Sequence, residues 1–515
     1  MGKDLILAHD LGTTGNKATL VDQEGTRVAS TFCAYDTFYP NIGWAEQDPE
    51  DWWKAFRIST AKLIQENQVD AARIAAVSFS GQMMGCLPVD RDGNPLRRAI
   101  IWADHRAIEE ASLLSERLGE ERVYEITGHR ISPTYSVEKL LWIKRHEPDA
   151  FKKTYKVLHA KDFLRLRLTG TYFTDYSDAS SMNLFDIKEK QWSAEITDAL
   201  GLSVEILPEV RPSTYVSGEM TQMLADELGL VRGTPVIVGG GDGPCAAVGA
   251  GVVAEGDAYN YVGSSSWIAL AAPRPIYDPE RRTFNFYHLD PDTFMPTGTM
   301  QSAGASYQWL RNNLCHQEVT EAARLGTSPY ELMDREASKS PPGAKGLLFL
   351  PYLMGERSPH WNPSARGVFI GLTQTHRRED MIRAVLEGVG FNLRIILDAF
   401  VRQGIGIPTI RVIGGGAKGA LWRQILADIF DRPVLKLDLL EEATSLGAAI
   451  AGGIGVGLFH DFKVAQKIVR ISEVHYPDSK VRDVYEREYD IFQETYRSLV
   501  PVYTKLQGLV EEDKR

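Results

Sequence analysis

Cysteine is scarce in this chain. Four residues, Cys33, Cys86, Cys245 and Cys315, are scattered over 515 positions with no CxxC and no metal-ligand spacing. A disulfide scaffold, a zinc ribbon and a thioredoxin-like redox motif are thereby excluded, and reduced thiols in a cytosolic protein are expected. Long apolar runs are missing too. The most apolar stretch, residues 447–459, is short and glycine-rich, which fits a packed helix rather than a membrane segment. At the N-terminus the apolar run meets Asp10 at once, so no signal-peptide layout is expected. Nor is there a basic excess: 57 Lys and Arg stand against 68 Asp and Glu, a net charge of −11. That balance argues against a nucleic-acid or anionic-membrane surface. No low-complexity tract or short-period repeat occurs. At the glycine turn that follows Asp10, neither a Walker loop (GxxxxGK[ST]) nor a Rossmann GxGxxG followed by an acidic residue fits, which removes the two commonest nucleotide folds there.

What is there is a soluble globular composition, 43% hydrophobic and 24% charged, on a chain too long for one ordinary core. Two large domains are expected. Leu5 to His9, Lys17 to Asp22 and Arg27 to Phe32 read as strands joined by a tight polar turn and by Gln23-Glu-Gly25. Asp48-Pro49 is a cap and first turn for a helix carrying Trp53, Phe56, Leu63 and Ile64 on one side. Strands at Ile74 to Phe79, Pro235 to Val238 and Ile410 to Ile413 then alternate with helices at Ser136 to His146, Glu379 to Gln403 and Ala420 to Phe430. A further hairpin opens at Asp257 to Gly263. Such alternation predicts α/β layers with sheets covered by helices. An apolar strand running into a polar glycine turn recurs near residues 10, 240, 263 and 415. Two similar lobes offering such turns to a shared cleft would produce that echo, with the boundary near residues 245–255.

The turns carry the chemistry. Phosphate recognition needs unobstructed backbone N–H groups, hydroxyls, and a carboxylate for magnesium. Asp10-Leu-Gly-Thr-Thr-Gly supplies all of these, although an ordinary hairpin reads the same way. Gly239-Gly-Gly-Asp242-Gly-Pro ends an apolar strand and projects a carboxylate that is able to take a substrate hydroxyl's proton. Asp242 capping a helix that begins near Cys245 is the compatible structural reading. Val262-Gly-Ser-Ser-Ser266 is a further phosphate-loop candidate, and Ile413-Gly-Gly-Gly-Ala-Lys418 leaves room for a flat base or a ribose. Ser80-Gly-Gln-Met-Met-Gly85 and Ile100-Ile-Trp-Ala-Asp104-His-Arg106 mix apolar and polar groups as sugar pockets do. They fit the edge of a core equally well. His9, His105 and His360 lack ligand-spaced partners and are expected to be structural.

Together these residues resemble the FGGY family of carbohydrate kinases over nearly the whole chain. Ser136-Val-Glu-Lys-Leu-Leu-Trp-Ile-Lys144 looks like the family's first signature. Gly367-Val-Phe-Ile-Gly-Leu, followed after seven residues by Asp380-Met-Ile-Arg-Ala-Val-Leu-Glu387, is similar to the second. Gly346-Leu-Leu-Phe-Leu-Pro-Tyr-Leu-Met-Gly-Glu-Arg-Ser-Pro-His360 and Gly414-Gly-Gly-Ala-Lys-Gly-Ala-Leu-Trp-Arg-Gln424 resemble segments of the family's xylulokinases. The resemblance implies a two-lobed α/β fold, actin/hexokinase-like (ribonuclease H-like), with the active site in the interlobe cleft. Residues 1–250 would form the sugar-binding lobe and 251–515 the ATP-binding lobe. It implies ATP and Mg2+ as cofactors and a cytoplasmic location. Asp10 would hold the metal, together with Asp242, which matches the catalytic base. Gly12, Thr13, Thr14 and Lys17 would lie near the ATP phosphates. Ser264, Gly304 and Gln308 would complete the phosphate side, and Gly415, Gly416 and Ala417 the adenosine side. Gln82, Met83, Met84, Trp102, Asp104 and Tyr135 fall in stretches that line the sugar pocket.

The chain departs from the xylulokinase pattern twice. Met84 stands where Ser-Gly-Gln-Met-His-Gly has its histidine, and Gly243 where an asparagine is usual. Both changes remove polar groups able to meet sugar hydroxyls. The expected activity is phosphorylation of a ketopentose such as xylulose, with another ketose, a polyol or a gluconate-like acid as alternatives. From a different class, an actin-like or chaperone-like switch ATPase shares the Asp-Leu-Gly-Thr-Thr turn but lacks the Gly-Gly-Gly-Asp turn. A kinase fold without activity is the third reading. A homodimer is carried as the assembly to test.

Overall fold

Apolar residues on both faces make Leu5–Leu11 (β1) a central strand. It forms one in the computed structural model, which describes residues 2–512. Met1 and residues 513–515, the outermost ends of the two expected lobes, lie outside the described residues. On one side β1 pairs antiparallel with Gly15–Asp22 (β2), which pairs antiparallel with Arg27–Ala34 (β3). On the other it runs parallel to Ile74–Gly81 (β4). Val216–Glu219 (β5) edges the sheet antiparallel to Pro235–Ile237 (β6), while β6 and Gly240–Gly241 (β7) run parallel to β4.

A second sheet repeats the plan. Ala258–Val262 (β8) and Ser266–Leu270 (β9) form its antiparallel hairpin. Phe284–Tyr287 (β10) and Phe294–Met300 (β11) extend it on the β9 side. Ile410–Ile413 (β12) and Val434–Leu437 (β13) are the parallel additions beside β8, and Ile471–His475 (β14) is the antiparallel edge. Each sheet is therefore an antiparallel meander whose first strand takes parallel partners. This duplication is the two-lobed, ribonuclease H-like architecture, and the recurring glycine turns are its sequence trace.

The helices follow from caps and burial. Asp48 accepts the Glu50 N–H, Pro49 sets the first turn, and Pro49–Glu66 (α1) lays Trp52, Phe56, Leu63 and Ile64 on the first sheet. Ser136–His146 (α2) has the expected bounds. Ala160–Thr169 (α3) and the short Tyr176–Ser180 (α4) lie in the same half. Asp242–Gly249 (α5) begins three residues before the expected start near Cys245. In the second half, Gly304–Leu314 (α6), Arg378–Arg402 (α7), Ala420–Phe430 (α8), Ala443–Gly455 (α9) and Arg482–Glu512 (α10) are the helices that bear on the site or on the core behind it.

One helix joins the halves. Residues 447–455 of the glycine-rich stretch expected to be a packed helix lie in α9, and residues 456–459 turn away beyond its end. Leu446, Ala449 and Ile450 of α9 share a core with Ile6, Ala8 and Val21 of the first sheet. It crosses α5 at van der Waals contact of the backbones: a Cβ on Gly447 would lie 1.9 Å from the Cys245 carbonyl oxygen. No helix among the described residues is long and apolar enough to cross a membrane.

Candidate active site

The turns converge on a cleft of about 720 Å3 between the two sheets. Asp10 and Lys17 face each other across the β1–β2 hairpin, and the Gly12 N–H closes the turn on the Gly15 carbonyl at 3.1 Å. The turn is held from behind. Gln47 Nε2 donates to the Thr13 carbonyl at 2.7 Å, Trp102 Nε1 to Thr13 Oγ1 at 2.9 Å, and the Tyr35 hydroxyl to the Gly12 carbonyl. It is also tied to the neighbouring strand and across the cleft. Asp10 accepts from Ser80 Oγ at 2.9 Å and from Thr444 Oγ1, at the start of α9, at 2.7 Å. Lys17 Nζ donates to the Glu441 carbonyl at 2.9 Å.

Opposite lies the glycine turn between β6 and α5. Gly239 adopts φ +73°, and a Cβ there would meet the Phe79 carbonyl oxygen at 2.2 Å, so only glycine lets the chain fold over β4. Gly241 takes the cap position, which leaves Asp242 as the first residue of the helix rather than its cap. Its carboxylate accepts the neighbouring Gly243 N–H, at 2.7 Å, and faces the cleft. Burial pushes the Asp242 carboxyl up to about 7, and the Asp10 charge adds to the rise. A carboxyl that titrates near neutrality in a cleft is matched to general-base work.

On one side of these carboxylates the wall is apolar, with Met83, Met84, Trp102, Phe284 and Phe286, interrupted by Gln301 and Arg357. Met84 sits at φ +60°, an uncommon backbone for a side chain of this kind. Two bonds hold it there: its N–H donates to Ser181 Oγ at 3.3 Å, and Lys139 Nζ donates to its carbonyl at 2.8 Å. Tyr261, Ser264, Ile413, Gly414 and Gly415 also line the cleft.

Residues 5–249 match the N-terminal domain, and residues 258–456 the C-terminal domain, of the FGGY family of carbohydrate kinases. The chain belongs to that family. It is an ATP-dependent sugar kinase, with ATP as the phosphate donor. The match answers the switch-ATPase alternative. Among curated relatives, a xylulose kinase of Bacillus subtilis is 34% identical over 98% of this chain and 99% of its own length. A gluconokinase of Bacillus licheniformis is 32% identical over 97% of both chains. The solved structure of a ligand-bound xylulose kinase from Lactobacillus acidophilus superposes with a TM-score of 0.91 at 28% identity, covering 98% of this chain and 99% of that one.

Within this FGGY kinase, Asp10, Gly12, Thr13, Thr14, Lys17, Met83, Met84, Trp102, Asp242, Ser264 and Gly415 all line the one cleft. The remaining expected residues are not part of its lining. Gln82 is buried, donating to Gln47 Oε1 at 2.7 Å. Asp104 is fully buried on the Ala45 N–H and on the Arg106 guanidinium. The buried Tyr135 hydroxyl is bonded to His129 Nδ1 at 2.9 Å. Gly304 caps its N–H on the Gly263 carbonyl, Gln308 is exposed along α6, and Ala417 is buried under the Gly416 turn. His9, held between Asn16 and Thr60, is kept neutral by burial, which lowers it to about 3. His360 stacks on Tyr496, and burial likewise lowers it to about 3. Sequence reasoning missed Gln301, Arg357, Glu441 and Thr444. Arg357 alone had a signal, inside the segment that resembles xylulokinases.

Proposed function

We propose that this kinase phosphorylates a hydroxyl of a ketopentose such as D-xylulose, with Asp242 as the general base and Mg2+-ATP as the phosphoryl donor. The observation that carries the proposal is Asp242: it faces the cleft beside the phosphate turn, and its carboxyl titrates near neutrality. Such a group accepts a hydroxyl proton as the oxygen attacks the terminal phosphoryl group, and a largely dissociative transfer asks little more than alignment of it. The Gly12 to Thr14 turn, Lys17 and Ser264 would meet the phosphates. Gly304 and Gln308 would support that side, and Gly415, Gly416 and Ala417 the adenosine. Gln82, Met83, Met84, Trp102, Asp104 and Tyr135 would shape the sugar side, the buried ones through their neighbours.

The donor set suits Mg2+. Asp10 and Asp242 are two carboxylates in one cleft, close enough that the charge of one raises the other. A hard divalent cation bound by such oxygens neutralises charge on the transferring phosphoryl group. Closure of the lobes would exclude water and so protect ATP from hydrolysis. We place the lobe boundary at residue 250 and the reaction in the cytoplasm. The assembly we expect is a homodimer that binds neither nucleic acid nor membrane.

A second reading is favoured by Arg357. It lines the cleft, and among the described residues no ion pair joins it to a carboxylate. A substrate carboxylate would fill that role, as in a gluconate-like acid, and gluconokinases are among the relatives. An ADP-release assay across ketoses, polyols and aldonic acids separates the two. Highest kcat/KM on a ketopentose supports the first reading, and highest kcat/KM on an aldonic acid replaces it with the second.

A further inference from the structure

Behind the base turn lies a cluster of charges that the reaction as described leaves idle. Lys161 Nζ sits 2.7 Å from Asp162 Oδ1, 3.0 Å from Asp175 Oδ1 and 3.1 Å from Asp178 Oδ2, and none of the four side chains has exposed surface. His159, Asp162 and Asp178 also present ligand atoms within 4.8 Å of one another, the spacing of a metal site. The ammonium of Lys161 already occupies the space among the carboxylates, so the cation here is the protein's own. Burying such a set rarely adds stability over apolar packing, because desolvation offsets the attraction. Its geometry is better read as a clamp.

The clamp reaches the turn that carries Asp242 through the Ser177 hydroxyl. Asp175 Oδ2 accepts from Ser177 Oγ at 2.5 Å and from Ser213 Oγ at 2.8 Å. With its proton committed to Asp175, Ser177 Oγ offers a lone pair to the Gly241 N–H at 2.9 Å. Gly241 immediately precedes Asp242. Ser181, one residue past the end of α4, accepts the Met84 N–H, so the same short segment also fixes the sugar loop. The end of β4 is seated on the clamp as well: a Cβ on Gly81 would lie 3.0 Å from Lys161 Cβ.

We propose that Ser177, oriented by Asp175 and Lys161, is a positioning residue for phosphoryl transfer: its hydroxyl fixes the Gly241 amide and thereby the aim of the Asp242 carboxylate. The inference rests on Asp242 being the base. Ser177→Ala removes the hydroxyl and little volume. Misplacing a reacting group by about 1 Å costs up to about 10²-fold, so kcat should fall by about 10- to 100-fold while KM for ATP moves less than about threefold. Ser340→Ala is the control, since Ser340 is a buried serine donating to the buried Asp380 at 2.6 Å, away from the cleft. It should lose a similar amount of Tm and keep kcat within about twofold, because its bond is of the same kind. Ser177→Thr retains the hydroxyl and should keep kcat within about threefold, and a threonine variant as impaired as the alanine one overturns the proposal. A double-mutant cycle completes the test. Ser177→Ala should cost nothing further in an Asp242→Asn background. Independent multiplication of the two losses, or a Ser177→Ala loss in kcat no greater than that of Ser340→Ala, overturns the positioning role. If Asp242→Asn alone kept more than about a tenth of the turnover, the base assignment would fail first, whatever Ser177 does.

Discussion

Mild acid should switch this kinase off through one carboxyl. Asp242 starts from an ordinary value of 3.8 and is raised to about 7, mainly by burial and secondly by the Asp10 charge. A base must be ionised to accept a proton. A group titrating at about 7 is ionised in roughly one molecule in eleven at pH 6 and ten in eleven at pH 8, so kcat/KM for the sugar should rise about tenfold between them. Bound Mg2+ opposes the Asp10 contribution, so the limb in kcat should lie at or below the limb in kcat/KM. Initial rates from discontinuous ADP measurement avoid pH effects on coupling enzymes. Asp242→Asn should lower turnover by about 10²- to 10⁴-fold and leave a residual rate without that limb.

The same shift has a stability signature of opposite sense. Between 3.8 and about 7 the folded protein binds the Asp242 proton more tightly than the unfolded chain does. Stability of the ligand-free protein is therefore lost as pH rises through that window, and Asn, which never ionises, escapes the loss. Asp242→Asn should raise Tm above wild type at pH 8, with a gain that shrinks on acidification and vanishes near pH 4. A flat rate from pH 6 to 8, or a Tm difference independent of pH, would refute the reasoning.

Asp10→Ala should weaken productive Mg2+-ATP use whatever the sugar, and unchanged activity and magnesium dependence would remove the phosphate role of residues 10–17. Met84→His should move the ratio of catalytic efficiencies toward xylulose with ATP parameters little changed, because a thioether cannot donate a hydrogen bond and reads a hydroxyl poorly. Identical selectivity in both proteins would take Met84 out of sugar recognition. Gly447→Ala should lower unfolding free energy by about 1–3 kcal/mol or more in denaturant melts, since its Cβ meets backbone that cannot swing aside. A neutral substitution there would mean that α5 and α9 are free to move apart.

Much of the fold was legible because its signals are local. The Asp48-Pro49 cap announces α1, and the alternation of apolar strands with glycine turns announces two like sheets. Residues 136–146 and 420–430 read as helices with the bounds they have. The cleft was legible in the same degree, wherever a residue sits on a turn that itself lines it, as Asp10, Thr13 and Asp242 do. Legibility failed where a whole loop was read as one unit. Of residues 102 to 104, Trp102 lines the cleft while Asp104 turns inward to Ala45 and Arg106, and no composition rule distinguishes the two. Contacts made by the far half of the chain were also invisible. Thr444 reaches Asp10 across 434 positions of sequence, and nothing in either segment names the other.

That pattern has a physical reason, and it bears on what the cleft needs. The turns at residues 10–17 and 239–242 are each anchored by groups outside the motifs that mark them: Gln47, Tyr35 and Thr444 for one, Ser177 for the other. A glycine turn alone is the loosest stretch of backbone the chain can offer, because glycine loses the most freedom on ordering. Catalysis asks the opposite of it, a carboxylate held to a fraction of an ångström. In the proposed reading the glycines would let ATP and sugar approach the backbone, while the hydroxyls, amides and charges behind them restrain it. A reading that follows motifs finds the first set and misses the second, since a supporting group is defined by what it touches rather than by its neighbours in sequence.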